Sequence, residues 1–292
     1  MRFLIITADD FGLHDAVNRA VEQAATDGVL TTASLMVGAP AAADAVRLAR
    51  ELPGLSVGLH LVLADGWSVL PPRSIPALVD AQGRFGTNMV RDGVRFFALP
   101  AVRRQLEAEI RAQFQAFADS GLSLDHVNAH KHFHLHPTLL EMLLRIGGEF
   151  GVPAVRLPRE PAWVARRAGG AIAGPAVAGL LSPWLGLMRR RLKAARLAHN
   201  DYVFGMSDSG SMNETRLLEA LASLPEGVTE IYLHPAIESG AAIAASMGSY
   251  HHAEELAALL SPRVRAAIAA CGAQTGGFRL SAAARTAERH AA

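Results

Sequence analysis

Between Asn128 and Pro137 the chain reads Asn-Ala-His-Lys-His-Phe-His-Leu-His-Pro, with a histidine at every second position. An extended segment would place His130, His132, His134 and His136 on one face. Neutral imidazole is the commonest protein ligand for transition metals, so that face is a candidate metal site. Alternate residues on a strand stand about 6.6 Å apart, so one ion takes at most two neighbours from the row. The remaining histidines would support those ligands, touch substrate or lie satisfied in the core.

Other ionisable groups follow apolar runs in the same way. Asp9-Asp10 close the run Phe3–Ala8, His60 lies late in Val-Gly-Leu-His-Leu, Arg156 ends Val152–Leu157, and His234-Pro235 ends Thr229–Leu233. Two adjacent carboxylates would repel without a cation, whereas one can ligate an ion while the other meets water; capping by Asp10 is the plainer alternative. One Asp with two His leaves coordination positions open, as catalytic ions require. Hydrolysis then needs a base and an acid, roles that Asp9 and a histidine such as His234 could fill. Arg156 would anchor Asp9 or the substrate, or else form an ordinary surface ion pair.

The elements that must position these groups alternate in type. Strands are expected at Phe3–Ala8, Ala33–Val37, Leu55–Leu63, Val152–Leu157 and Thr229–Leu233, with a further one leading into the histidine row. Helices are expected at Asp15–Thr26, Ala41–Leu52, Thr87–Ala98, Ala101–Ser120 and Thr138–Phe150, and after Ser261-Pro262. Residues Asp65 to Gly86 form a long excursion, the kind of loop that is usually functional or lid-like. Repeated strand–helix units imply a parallel sheet, open or closed into a barrel, with the site at the carboxyl ends of its strands. No repeat or linker divides the chain, and the alanine-rich tail, residues 281–292, is expected to fray.

A formal net charge of +1 over 292 residues argues against a general nucleic-acid binder. The single cysteine, Cys271, rules out an intrachain disulfide and a cysteine-based zinc knuckle. The first residues lack the long apolar region of a secretory signal, so a cytoplasmic protein is expected. From Ala168 to Met188 no residue is charged, and arginines flank the run. A membrane span would need that length, but the Gly, Ala and Pro content favours a buried helical pair or an apolar lid over residues 160–198.

The start Thr-Ala-Asp-Asp-Phe-Gly, the Gly-Leu-His segment and the histidine row together resemble the YdjC-like carbohydrate deacetylases, over residues 1–280. The histidine segment, Arg156-Leu-Pro-Arg-Glu160 and Asn200-Asp-Tyr-Val-Phe-Gly205 are similar to the hopanoid-biosynthesis branch, HpnK. The resemblance implies an α/β, TIM-like modified (β/α) barrel that removes acetyl groups from N-acetylated sugars with a divalent metal. It makes Asp10, His60 and His130 the metal ligands, Asp9 the general base and His234 the acid. His132, His134, Arg156, Asn200 and Asp201 would contact substrate or support the site. The wider family often has Asp-Ser-His where this chain has Asn128-Ala129-His130, which removes an acid from position 128. Family members are associated with zinc and with magnesium, and histidine ligation favours zinc. The branch implies an N-acetylglucosaminyl hopanoid substrate, with residues 166–193 touching lipid at the inner membrane surface.

Two other classes compete. Barrel phosphoesterases bind two or three ions through more carboxylates and an early His-x-His, whereas here the early pair is Asp-Asp. A non-catalytic sugar- or lipid-binding protein would have no need of the base and acid. A soluble chitooligosaccharide is the alternative substrate.

Overall fold

The computed structural model describes residues 1–161, 163–164, 175–239 and 243–291. Its strands and helices alternate as β1 (Arg2–Phe11), α1 (Asp15–Thr26), β2 (Thr32–Leu35), α2 (Ala42–Glu51), β3 (Ser56–Leu61), α3 (Met89–Ala98), α4 (Pro100–Asp119), β4 (Leu124–Ala129) and α5 (Pro137–Glu149). After these come α6 (Pro175–Ala194), β5 (Tyr202–Phe204), α7 (Glu214–Ala222), β6 (Gly227–Leu233), α8 (His252–Leu260), α9 (Pro262–Ala270), β7 (Gln274–Thr275) and α10 (Phe278–Ala291). The strands run parallel in the order β4-β3-β2-β1-β6-β5, and β7 pairs with the start of β1. This is a curled (β/α) barrel in a single domain.

Residues Val152–Leu157, expected as a strand, span the remaining gap only by bridges. On one side the Arg156 N–H donates to Val127 O and Val127 N–H to Ala154 O; on the other, Val155 N–H donates to Ala198 O and Val203 N–H to Arg159 O. Pro153 and Pro158 carry no N–H, so the segment cannot sustain a regular ladder.

Local sequence explains most of the helices. In α1 the alanines at 16, 20 and 24 and the valines at 17 and 21 bury one face, and His14 Nδ1 accepts the Ala16 N–H as the cap. The Ser261 hydroxyl caps α9 through the N–H groups of Arg263 and Val264, with Pro262 at the first helical position. The long excursion after β3 is pinned to α4: Glu109 takes the Val69 and Leu70 N–H groups, and Gln113 pairs with both backbone polar groups of Val62.

Residues 281–291 of the tail expected to fray continue α10, and the start of that helix, just before them, is docked. Phe278 and Arg279 donate their N–H groups to Asp125, and the Phe278 ring stacks on His126 at 4.6 Å. His126 reaches into the barrel, where its Nε2 lies 3.0 Å from Ser34 Oγ. It fits only because residue 58 is glycine: a Cβ there would stand 2.3 Å from the His126 ring. Of the expected lid and uncharged stretch, residues 162 and 165–174 lie outside the described residues. Residues 175–188 belong to α6, whose Trp184 donates to Leu135 O beside the histidine row. No helix among the described residues is long and apolar enough to cross a membrane.

Candidate active site

Strand register decides which polar groups meet. β1 pairs with β6 so that Ala8 lies opposite Leu233, which brings the next residues, Asp9 and His234, to neighbouring strand ends. β3 pairs with β4 so that His60 lies opposite Asn128 and Leu61 opposite Ala129, which puts His130 next in line. Asp10 then adopts a left-handed backbone, φ 64°. That conformation is uncommon outside glycine and is best tolerated by Asp and Asn. It turns consecutive carboxylates toward different partners.

Asp10, His60 and His130 converge. Asp10 Oδ1 lies 3.1 Å from His130 Nδ1 and 3.3 Å from His60 Nε2, and the two nitrogens are 3.4 Å apart. A tetrahedral ion with bonds of about 2.0–2.1 Å spaces its ligands by about 3.3–3.4 Å, so this triangle has the edge of a metal site. His60 Nδ1 lies 2.6 Å from Asn128 Oδ1. The Asn128 amide nitrogen donates to Asp9 and Ser34, so its oxygen faces His60 and takes the Nδ1 proton. This leaves the Nε2 lone pair of His60 aimed at the other two donors, the arrangement that a metal-ligating histidine needs. Asp10 Oδ2 is buried with no partner. Burial opposes ionisation of Asp10, but His130 and His60 outweigh it and hold the carboxyl well below its usual range. Among the described residues this is the group whose donor set fits a divalent cation.

Asp9 belongs to a second cluster. Arg156, fully buried, donates to both of its oxygens at 2.6 and 2.9 Å and to both oxygens of Glu230 at 2.7 and 2.8 Å. The Tyr232 ring lies under the guanidinium at 4.7 Å, and Thr7 donates to Glu230 at 2.7 Å. Burial would neutralise Asp9, but Arg156, with His60, keeps it ionised far below the ordinary carboxylate range. Three donated bonds occupy most of the roughly four acceptor positions of a carboxylate, leaving Asp9 room for one more proton donor.

The histidine row does not share a face. Its strand ends at Ala129, and a 3-10 turn follows over His130–Leu135 with Lys131 and His132 left-handed. The twofold period therefore stops where the chemistry begins. His130 reaches Asp10, His132 Nε2 lies 3.0 Å from Tyr232 Oη, and His134 Nε2 takes its place 3.1 Å from Arg156 O. His136 packs edge-on to Phe96 and Phe133. Burial, helped by Arg156, pushes His132 down and His134 down to about 3, so both stay neutral.

His234 is held through its backbone. Its N–H donates to Glu255 at 2.5 Å and its carbonyl accepts from His252 Nδ1, while its own Nδ1 is buried without a partner. Burial lowers its pKa against the pull of Asp10 and Asp9. Asn200 spends its amide on the backbone of Leu157 and Tyr202. Asp201 accepts Val228 N–H at the start of β6 and pairs with Arg189 and Arg285. It lies at the opposite end of the barrel from the strand ends that carry the site, because it precedes β5 rather than following it.

Three groups at the site carry no motif. Glu230 does leave a signal, an acid in the middle of the buried strand Val-Thr-Glu-Ile-Tyr, which requires a buried cation opposite. Asn128 stands in the histidine segment, where the loss of an acid hid its role as the partner of His60; Glu255 leaves no signal, since its role depends on a helix packed from elsewhere.

The chain matches the family described as YdjC-like protein over residues 3–270. It is 33% identical over 265 residues to a carbohydrate deacetylase of Brevibacillus brevis, covering 90% of this chain and 92% of that one. Against a chitooligosaccharide deacetylase of Serratia marcescens it is 29% identical, covering 95% and 98%. The crystal structure of an Enterococcus faecalis protein, provisionally described as a cellobiose-phosphate cleavage protein, superposes with a TM-score of 0.74 at 24% identity, covering 95% and 98%. That last likeness is one of fold.

Proposed function

The chain belongs to the YdjC-like protein family, and on that premise we propose that it hydrolyses the N-acetyl group of an N-acetylglucosamine-bearing substrate to the free amine and acetate. Relatives named carbohydrate deacetylase and chitooligosaccharide deacetylase support a carbohydrate N-deacetylase. The observation that carries the chemistry is the triangle of Asp10, His60 and His130 beside a second carboxylate, Asp9, that is kept ionised.

Asp10, His60 and His130 would hold one divalent cation, with zinc favoured over magnesium by two imidazoles. When bound, it would supply Lewis acidity, polarising the acetamide carbonyl and acidifying water. Asp9 is the base: its remaining acceptor position takes the proton of the attacking water. Because Arg156 makes it a weak base, Asp9 suits only a water already made acidic. His234 is the acid that gives the departing nitrogen its proton, since an amide nitrogen leaves poorly as an anion. Burial keeps it neutral at rest, and the negative charge that builds on the carbonyl oxygen during attack favours its uptake of the proton that Asp9 removed from the water, which it then passes to the nitrogen. Arg156, fully buried, positions Asp9 and does not reach substrate. His132, held neutral, can meet a sugar hydroxyl without adding charge, while the buried His134 supports the site from behind through the Arg156 carbonyl.

The finer substrate assignment is an N-acetylglucosaminyl hopanoid. The segments around Asn128–Pro137 and Asn200–Gly205 support it, as does α6, an apolar helix docked through Trp184 onto the turn that carries the histidines. In this reading residues 166–193 touch the lipid, at a peripheral site on the membrane. The Serratia relative supports a second reading, a soluble chitooligosaccharide.

Acetate release tests both, from the hopanoid glycolipid and from a chitooligosaccharide, each with a chelated control. Chelator-sensitive release from the lipid alone is the expected result. Release from the soluble sugar alone would discard the lipid assignment, and release from neither by the metal-loaded protein would overturn the deacetylase reading.

A further inference from the structure

Helix α3 carries an apolar row that the catalytic reading does not use. Val90, Val94 and Phe97 are 80%, 63% and 67% exposed, and Leu99 follows at 45%. Spacings of four and three place the first three side chains on one stripe of the helix. Isolated exposed apolar residues are ordinary; a contiguous row of this size marks a contact surface. The opposite face is firmly seated. Phe96 packs on Phe133 with ring centroids 5.4 Å apart, and Gly93 lies against His136. α3 thus rests on the turn that carries the candidate ligand His130, on the face of the barrel where the strands end.

Charge indicates what covers the row. Between residues 84 and 104 lie five arginines, Arg84, Arg91, Arg95, Arg103 and Arg104, against one acid, Asp92, in a chain whose total is only +1. Asp92 is shared by Arg91 and Arg95, so the segment stays strongly positive. Arg84, Arg91, Arg103 and Arg104 are exposed. A twofold contact between two copies would bring these arginines together and is disfavoured. An anionic bilayer surface satisfies both features, accepting the apolar row between headgroups while its phosphates meet the arginines.

We propose that α3 is a membrane-contact helix whose Val90, Val94 and Phe97 enter the interface of an anionic bilayer, ringed by Arg91, Arg95, Arg103 and Arg104. This surface lies on a different helix from α6 and stands whichever acetylated sugar is the substrate. It would hold the strand ends of the barrel against the lipid, where a sugar anchored in the bilayer is presented.

The test is co-sedimentation with vesicles of phosphatidylcholine alone and of phosphatidylcholine with about 30% phosphatidylglycerol. The proteins compared are the wild type, a Val90→Ser/Val94→Ser/Phe97→Ser variant and an Arg103→Glu/Arg104→Glu variant. The wild type is expected to bind the anionic vesicles, more weakly as salt is added. Each variant should bind at least about tenfold more weakly, while the circular dichroism spectrum stays unchanged. Absence of wild-type binding, or equal binding by the triple variant, overturns the proposal. So does a wild-type dimer that the triple variant converts to monomer in sedimentation equilibrium, which would make the row a self-contact. These readouts are independent of deacetylation, so failure here leaves the catalytic reading intact.

Discussion

Replacing Arg156 by Met removes four hydrogen bonds to two carboxylates that are both almost wholly buried. Met fills much of the volume, so the loss is electrostatic. Breaking a buried pair from one side costs about 3–5 kcal/mol, and here two anions are stranded. They can escape by taking up protons. At pH 7 that costs about 1.4 kcal/mol for each unit above an unfolded pKa near 4, or about 4 kcal/mol per carboxyl. The expected deficit is therefore about 4–8 kcal/mol at pH 7, a large share of a typical domain's stability. In the wild type, the depressed pKa of Asp9 contributes stability that is present above its unfolded value and lost only as pH falls through the folded one. In the variant, the raised carboxyl pKa values have the opposite sign: stability is lost as pH rises from the unfolded value toward the folded one. The gap between the proteins should thus shrink from pH 8 to pH 5, by about 1.4 kcal/mol per pH unit for each stranded carboxyl. Urea midpoints followed by circular dichroism at four pH values measure it. If Arg156→Met does not fold at pH 7, Arg156→Lys, which can serve only one carboxylate well, gives a smaller deficit with about half the slope. A gap that is constant or wider at pH 5 would refute the assignment of Arg156 as the group that keeps Asp9 charged.

Asp9→Asn should lower turnover about 10²–10⁴-fold while the bound metal, read by elemental analysis, stays; Asp10→Asn and His60→Gln should lose the metal itself. Asn128→Ala leaves His60 free to turn, so metal affinity measured by chelator competition should fall about 10–100-fold. Glu255 is pushed up to about 7 by burial although it accepts the His234 and Met212 N–H groups. Its protonated form is favoured by folding, so it costs up to about 3 kcal/mol of stability as pH rises from its unfolded pKa to 7. Glu255→Gln should flatten that slope between pH 5 and 7 in urea titrations, and an unchanged slope would show that Glu255 is not the titrating group.

The regular helices were legible because their signals are local. The alanine period and the bounds Asp15–Thr26 of α1 coincide, and Ser261-Pro262 marks the start of α9. Residues at strand ends were also legible, since a charged side chain closing an apolar run has few other reasons to be there. What failed was extrapolation of period. The alternation of histidines suggested one face, but two left-handed residues, Lys131 and His132, break it just past His130. Asn200 and Asp201, expected to contact substrate or support the site, enter β5 instead of leaving it, and Asn200 holds the backbone of Leu157 next to Arg156. The start of α10 is set by the N–H groups that Phe278 and Arg279 donate to Asp125 and by the Phe278 ring on His126, contacts that no pattern in the alanine-rich residues after it encodes. Glu230 marks itself as an acid inside an apolar strand, but which group it meets 74 residues away, like the partners of Asn128 and Glu255, is set by register and helix packing rather than by local pattern.

Gly58 and His126 share one volume inside the barrel, and this couples their histories. Any side chain at 58 collides with the imidazole, while a smaller residue at 126 opens a cavity and takes one of its two partners from the Ser34 hydroxyl. Neither position can drift by itself. A lineage that fills the barrel with aliphatic side chains at these positions must pass through a destabilised intermediate or change both residues at once. Sequence variation at 58 and 126 should therefore be epistatic, with glycine at the first accompanying a large ring at the second.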